Sequence, residues 1–344
     1  MIAMRTVLST SPPLALRRRA ACLALALGLG ACSAHLVPPG PPVTAPRQEA
    51  DAFIMADGTR LPYRAWVPER EEPPWAVVLA LHGMNDSRDA FEDPGPEFAE
   101  AGILLIAPDQ RGFGDTAQRG YWPGAQALAD DASAMARTLR AKYPGAKLIL
   151  MGESMGAGVA ILAATGPNPP PVDGYVLLAP AIWGRAEMNV FARSGLWLFS
   201  ELVPGLTLTG RIAGRVASDN RDALIRLSRN RLTIRETRVD AIKGVVDLMD
   251  ESRVATRRLH GPALVLHGGE DQIIPPDAMR AVWRGLPPGA RVRLAHYPKG
   301  YHLLLRDKDR ERRIADVLAW IRRPDAPLPS NAEADGKAFL ARDH

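Results

Sequence analysis

Two cysteines among 344 residues are too few for a disulfide framework or for a four-ligand zinc site built on cysteine. Long apolar runs are missing too. No stretch approaches the roughly 20 apolar residues of a membrane-spanning helix, which excludes a polytopic membrane protein. A strong charge of one sign is also absent. The formal net charge is +5, from 43 basic and 38 acidic residues. Residues 1–31 hold Arg5, Arg17, Arg18 and Arg19 and no acidic residue, and without them 39 basic residues face 38 acidic ones. That balance gives little ground for nucleic-acid binding. What is present is 47% hydrophobic and 24% charged residues, with 30 Gly and 31 Pro. This is enough apolar content for a sizeable core, and neither a disordered polyelectrolyte nor a collagen-like chain.

The N-terminus reads as an address. Arg17-Arg18-Arg19 precedes the short apolar segment Ala20–Leu29, the layout of a secretory signal peptide. The segment ends in Leu29-Gly30-Ala31-Cys32, which resembles the bacterial lipoprotein lipobox. That resemblance implies removal of residues 1–31, acylation of Cys32 and a Pro-rich tether over 32–50. An ordinary signal peptide cleaved near Ala34 is the alternative. With Ser33 after the cysteine, the expected location is the bacterial cell envelope, at the outer membrane, with the membrane surface as a partner.

From residue 51 onward, short apolar runs alternate with helical patterns. The runs are Trp75–Leu81, Ile103–Ala107, Leu148–Met151, Tyr175–Ala179, Ala263–Leu266 and Arg291–Leu294. Runs that are apolar on both faces and separated by helices predict a parallel sheet buried on both sides. Helices are expected over Pro94–Ala101, Gly124–Tyr143, Met155–Thr165 and Asp309–Arg322. The fold class is therefore α/β, a mostly parallel central sheet flanked by helices, with ligands at the carboxyl ends of the strands. Residues 51–181 and 261–323 form this core, and 182–260 are expected to be a helical insertion over the strand ends, without strands. The polar tail 324–344 is expected to be loose, with Phe339-Leu340 as the pair that could dock.

Chemistry concentrates at those strand ends. Gly152-Glu153-Ser154-Met155-Gly156 follows an apolar strand and opens a helix, the setting in which G-x-S-x-G lifts a nucleophilic serine above a sheet. A serine needs a base, and the base needs an orienting acid. In the chain order Ser, acid, His, the candidates are Asp271 after one strand and His302 after the last. Glu270 competes as the acid, while His267 and His296 read as packed histidines. The backbone N–H groups of Met84 and Met155 are placed to form an oxyanion hole, with His82 bracing the first loop.

Together, Leu81-His82-Gly83-Met84-Asn85-Asp86, Asp109-Gln110-Arg111-Gly112-Phe113-Gly114, the Ser154 motif and the Asp271 and His302 loops resemble the monoacylglycerol lipase and lysophospholipase group of serine α/β-hydrolases. The resemblance spans residues 51 to 322. It implies an eight-stranded core, a helical cap, and hydrolysis of a carboxylic ester of a single-chain lipid through an acyl-enzyme. It implies neither a metal nor a diffusible cofactor. The chain departs from the group at Ala157, where a second glycine is common. In the cap, Phe191, Leu196, Trp197 and Phe199 are candidate substrate-binding residues, lining an acyl tunnel or touching a bilayer. Residues 182–260 carry 14 basic against 9 acidic residues. A short-chain carboxylesterase and an acyltransferase are the enzymatic alternatives, and a lipid-anchored binding protein is the non-enzymatic one. An aspartate-nucleophile dehalogenase is excluded by the serine at the elbow.

Overall fold

The computed structural model describes residues 36–209 and 215–342. The signal-like segment and Cys32 lie outside them. A nine-stranded sheet runs through the molecule in the order β1-β2-β3-β5-β4-β6-β7-β10-β11. Its strands are β1 (Arg47–Gln48), β2 (Ala52–Ile54), β3 (Arg60–Trp66), β4 (Ala76–Leu81), β5 (Ile103–Pro108), β6 (Lys147–Glu153), β7 (Gly174–Leu178), β10 (Ala263–Gly268) and β11 (Val292–Tyr297). The first three and the β3–β5 pair are antiparallel, and the rest are parallel. The sheet has nine strands, not eight, because the short β1 adds an outer edge.

The parallel strands are buried on both faces because their side chains alternate between two cores. In β4, Val77, Leu79 and Leu81 enter one core, while Ala76, Val78 and Ala80 enter the other. The first core is closed by α2 (Ala125–Lys142) and α3 (Met155–Thr165). In α2 an apolar stripe of Leu128, Ala132, Met135 and Leu139 is buried, and Arg140 and Lys142 sit in the last turn, where positive charge suits the helix dipole. The second core receives Phe98 of α1 (Gly95–Glu100) and Ile314, Val317, Trp320 and Ile321 of α8 (Arg310–Arg322).

The segment after Ile182 differs from the expectation of helices alone. It contains α4 (Val190–Leu202), α5 (Arg221–Arg229) and α6 (Val239–Ala255), and also an antiparallel ribbon of β8 (Thr207–Thr209) and β9 (Glu236–Arg238). Three-residue strands with polar side chains leave no apolar run to find. Its last helix belongs with the core. Leu248 of α6 is fully buried against α3, and Ser252 Oγ donates to Ala181 O at 2.7 Å. Asn189 and Asn220 cap α4 and α5 by accepting from Ala192 N and Ala223 N.

Two helices went unanticipated. Pro276 sits in the first turn of α7 (Pro276–Arg284), where its missing N–H costs nothing. The tail, expected to be loose, folds into α9 (Ala332–Ala341), which docks on β11. Phe339 is buried there and stacks on His296 at 4.4 Å between centroids, while His296 stacks on His267. The two Nδ1 atoms lie 3.2 Å apart, so one ring donates to the other. A polar sequence hides this contact because a single aromatic anchors the helix.

Burial pushes His267 down to about 3 and His296 down to about 4. The unfolded chain therefore takes up these protons first, so their contribution to stability is complete above about pH 6.5 and is lost as the pH falls towards 4. Thermal melts should show this decline, and His296→Phe should flatten it. Phe339→Ala should cost about 3 kcal/mol at neutral pH, measured by denaturant unfolding.

Candidate active site

Ser154 occupies the turn between β6 and α3 with φ 53° and ψ −114°, a backbone conformation that side chains rarely adopt. The turn is this tight because its flanks touch. A Cβ on Gly152 would stand 2.3 Å from Gly156 O, and one on Gly156 would stand 2.3 Å from Leu81 O. Leu81 pairs with Gly152 in the β4–β6 register, which brings His82 and Gly83 beside the elbow. Ser154 N donates to Leu178 O at 2.8 Å, and Ser154 O accepts from Ala157 N, Gly158 N and Ala181 N. The turn is thus held by backbone bonds on both sides. Ala157 is fully buried beside it, and the close glycine contact falls at Gly158 instead, where a Cβ would meet Leu248.

Asp271 and His302 come from different strand ends and meet. His302 Nδ1 donates to Asp271 Oδ2 at 2.8 Å. Asp271 Oδ1 accepts from Ile273 N at 2.7 Å and Ile274 N at 3.0 Å, so the carboxylate is fully engaged. Their loops are joined: Gly269 N donates to Tyr297 O and Glu270 N to Gly300 O. Burial opposes charge on His302, but the charge and hydrogen bond of Asp271 outweigh it and hold its pKa above the ordinary imidazole value. Burial likewise penalises ionised Asp271, and the facing His302 and the two amides keep its pKa low. Because Nδ1 carries the proton, Nε2 is left as an acceptor. Among the described residues the hydrogen bond of the His302 ring is the one to Asp271, and none joins Nε2 to Ser154 Oγ.

The loop after β4 supplies a second set of groups. A Cβ on Gly83 would lie 3.4 Å from Ser154 Cβ, so the next residue, Met84, begins beside the serine. Among the described residues, neither Met84 N nor Met155 N donates to a protein acceptor. His82, fully buried, braces this loop. Its Nδ1 donates to Gly83 O at 2.8 Å, and its Nε2 accepts from Gln110 N at 3.0 Å. Burial lowers its pKa, in keeping with a neutral ring. The loop after β5 is itself anchored. Asp109 accepts from Arg88 N and Asp115 N, and Arg111 is clamped between Asp57 at 2.7 Å and Asp131 at 2.8 Å. Phe113 meets the His82 ring edge-on at 5.6 Å.

Other residues at the site had no signal in the sequence beyond a charge in an apolar setting. Glu153, Asp86 and Arg306 are buried together under the loops. A small apolar pocket beside Met84 is lined by Phe113, Trp122, Ile234 and Ala241. The insertion reaches this pocket because Ile234 N donates to Asn85 O, and Asn85 Nδ2 donates to Thr237 Oγ1 at 2.7 Å. The cap candidates lie elsewhere. Phe191 is 85% exposed, Trp197 63% and Phe199 51%, all on α4, and Leu196 is half-buried. Among the described residues no group of His, Cys, Asp and Glu is arranged to hold a metal ion.

Residues 72–309 match the Hydrolase_4 family, described as serine aminopeptidase, S33. The chain belongs to this family. Its fold is that of the α/β-hydrolases, and within them it is monoacylglycerol lipase-like. It is 23% identical over 271 residues to the monoacylglycerol lipase of Mycolicibacterium smegmatis, covering 78% of this chain and 95% of that one. It is 27% identical over 270 residues to the monoglyceride lipase of Rattus norvegicus, covering 76% and 86%. Among solved structures, the monoacylglycerol lipase of Paleococcus ferrophilus superposes with a TM-score of 0.63 at 22% identity, over 76% of this chain and 98% of that one. A soluble variant of the Saccharomyces cerevisiae monoglyceride lipase superposes with a TM-score of 0.67 at 18% identity, over 82% and 98%. Membership of this family makes the chain a serine hydrolase by class.

Because Gly156 has no room for a methyl group against Leu81 O, Gly156→Ala should destabilise the fold by about 2 kcal/mol. The check is chemical denaturation, with Gly145→Ala, at a glycine with open space around it, as the control.

Proposed function

We propose that this hydrolase cleaves carboxylic esters of single-chain lipids, with Ser154, His302 and Asp271 as nucleophile, base and acid. The observation that carries the reading is the hydrogen bond from His302 to Asp271, made between the loops that follow β11 and β10 in the same sheet whose β6 leads into Ser154. Names of the relatives support the substrate class, since both curated relatives above are lipases of monoacylglycerols.

In the mechanism, an ester carbonyl enters between Ser154 and the free amides of Met84 and Met155. His302 Nε2 takes the Ser154 proton as the oxygen attacks, so the contact between the two side chains closes on substrate, as catalytic hydrogen bonds commonly do. Charge that develops on the carbonyl oxygen is met by the two amides, each worth roughly 100- to 1,000-fold in rate. His302 then protonates the leaving alcohol, and the acyl group remains on Ser154. A water activated by the same imidazole releases the fatty acid and restores the serine. Asp271 keeps the imidazole in the working tautomer and steadies its cation. A raised His302 pKa means that base function is lost on acidification from above the ordinary imidazole value.

Substrates of this class reside in lipid surfaces, and two features fit that setting. The exposed apolar residues Val190, Phe191, Trp197, Leu198, Phe199 and Leu202 share one helix of the insertion. The Leu-Gly-Ala-Cys32 segment supports lipid attachment and residence in the bacterial envelope at the outer membrane.

Two experiments test this reading. A fluorophosphonate probe should label the full chain and fail on folded Ser154→Ala; labelling of that variant at the normal rate refutes the serine assignment. A panel of monoacylglycerols, lysophospholipids and p-nitrophenyl esters should give the highest kcat/KM on a long single acyl chain, and a maximum on short chains makes it a carboxylesterase instead. For the anchor, Cys32→Ser expressed in a bacterial host should lose incorporation of labelled palmitate and leave the membrane fraction. Unchanged incorporation would point away from Cys32.

A further inference from the structure

Three charged side chains sit beneath the candidate triad without a part in its chemistry. Arg306 lies four residues after His302, Glu153 immediately precedes Ser154, and Asp86 lies two residues after Met84. All three are buried, at 5%, 1% and 6% exposure. One guanidinium nitrogen of Arg306 bonds both carboxylates, reaching Asp86 Oδ2 at 2.8 Å and Glu153 Oε1. The three residues belong to segments that follow or end β11, β6 and β4. A single cation therefore joins the three pieces of chain that carry the base, the nucleophile and the oxyanion amide.

Stability is a poor explanation for this arrangement. Taking three charges out of water costs heavily, and well-packed apolar side chains of similar volume commonly do as well or better. Two carboxylates also share one cation, and burial raises the Glu153 pKa above the ordinary carboxylate value in spite of the facing Arg306. What the cluster does provide is direction. A guanidinium bonds at fixed angles, and its partners are fixed in turn: Glu153 ends a strand, and Asp86 Oδ1 accepts from Ser87 N at 2.8 Å. The loop of Arg306 is secured at its neighbours as well. Tyr301 N donates to Asp307 Oδ2 at 2.8 Å, Leu303 N to Ala217 O at 2.9 Å, and Asn220 Nδ2 to Arg306 O at 3.0 Å.

We propose that Arg306 is a positioning residue that holds the His302 loop at its working separation from Ser154 and from the Met84 loop. The proposal rests on the triad reading above. Its partners also act on the base electrically. The negative charge of Glu153 favours the His302 imidazolium, and the positive charge of Arg306 opposes it.

The test uses the full chain and two readouts, ester turnover and the rate of fluorophosphonate labelling. Arg306→Met should lower kcat and the labelling rate together by about 100-fold, the cost of a misplacement of about 1 Å, while KM stays within about threefold. Arg306→Lys should recover at least about tenfold of both, since it restores the charge without the fork. A folded Arg306→Met that labels at the wild-type rate overturns the proposal, because a merely structural residue would change the melting temperature alone. If Arg306→Met does not fold, Asp86→Ala decides: it takes away one of the two carboxylates that hold Arg306, so the labelling rate should fall by at least about tenfold, and a folded variant that labels at the wild-type rate overturns the proposal. Ser154→Ala separates the two levels: if it still labels, the triad reading fails and this proposal with it, whereas loss of labelling there with full labelling in Arg306→Met removes the positioning role alone.

Discussion

The close approach of the β6–α3 turn to the end of β4 is the contact on which the site depends. Leu81 O lies where a side chain on Gly156 would go, and Gly156 O lies where one on Gly152 would go. With both positions bare, the chain reverses within a few residues and Ser154 is held at φ 53°. The backbone cost of that conformation is offset by the hydrogen bonds that Ser154 makes to Leu178 and Ala181 across the sheet. Everything else at the site is arranged around this fixed point.

The surroundings are built in successive supports. His82 shapes the loop of Met84, and the loop after β5 shapes His82 through Gln110. Arg111, held by two aspartates, fixes that second loop in turn. On the other side, Asp271 is fixed by two amides before it meets His302. Ionic groups buried in this way are expensive, and they occur here under the loops that must keep their spacing. The insertion is fastened to the same loops, through Ile234 at Asn85 and through Ala217 at Leu303. The Met84 loop and the His302 loop are therefore both tied to the insertion, while the apolar face of α4 is left outside the packed core.

The parallel strands were legible because burial on both faces demands continuous apolar runs such as Val77–Leu81 and Ile103–Ala107. Ser154 was legible because the turn imposes glycines at fixed offsets. The antiparallel β3 was not, since it is buried at Leu61 and Pro62 but half-open beyond them, and its polar residues conceal it. Helix α9 was hidden for a similar reason: its docking depends on Phe339 finding two histidines from β10 and β11. The cap candidates were chosen for apolar character, and the fold puts that character of Phe191, Trp197 and Phe199 on the outside.

By itself the sequence determined the α/β class, the elbow and the order in which serine, acid and histidine candidates occur, because these follow from local periodicity and from backbone sterics over a few residues. Only the tertiary structure decided that Asp271 faces His302, that Arg306 reaches Glu153 and Asp86, and that α6 joins the core. Such pairings form between segments many tens of residues apart, and their energy depends on distances of a few ångströms that no local pattern encodes.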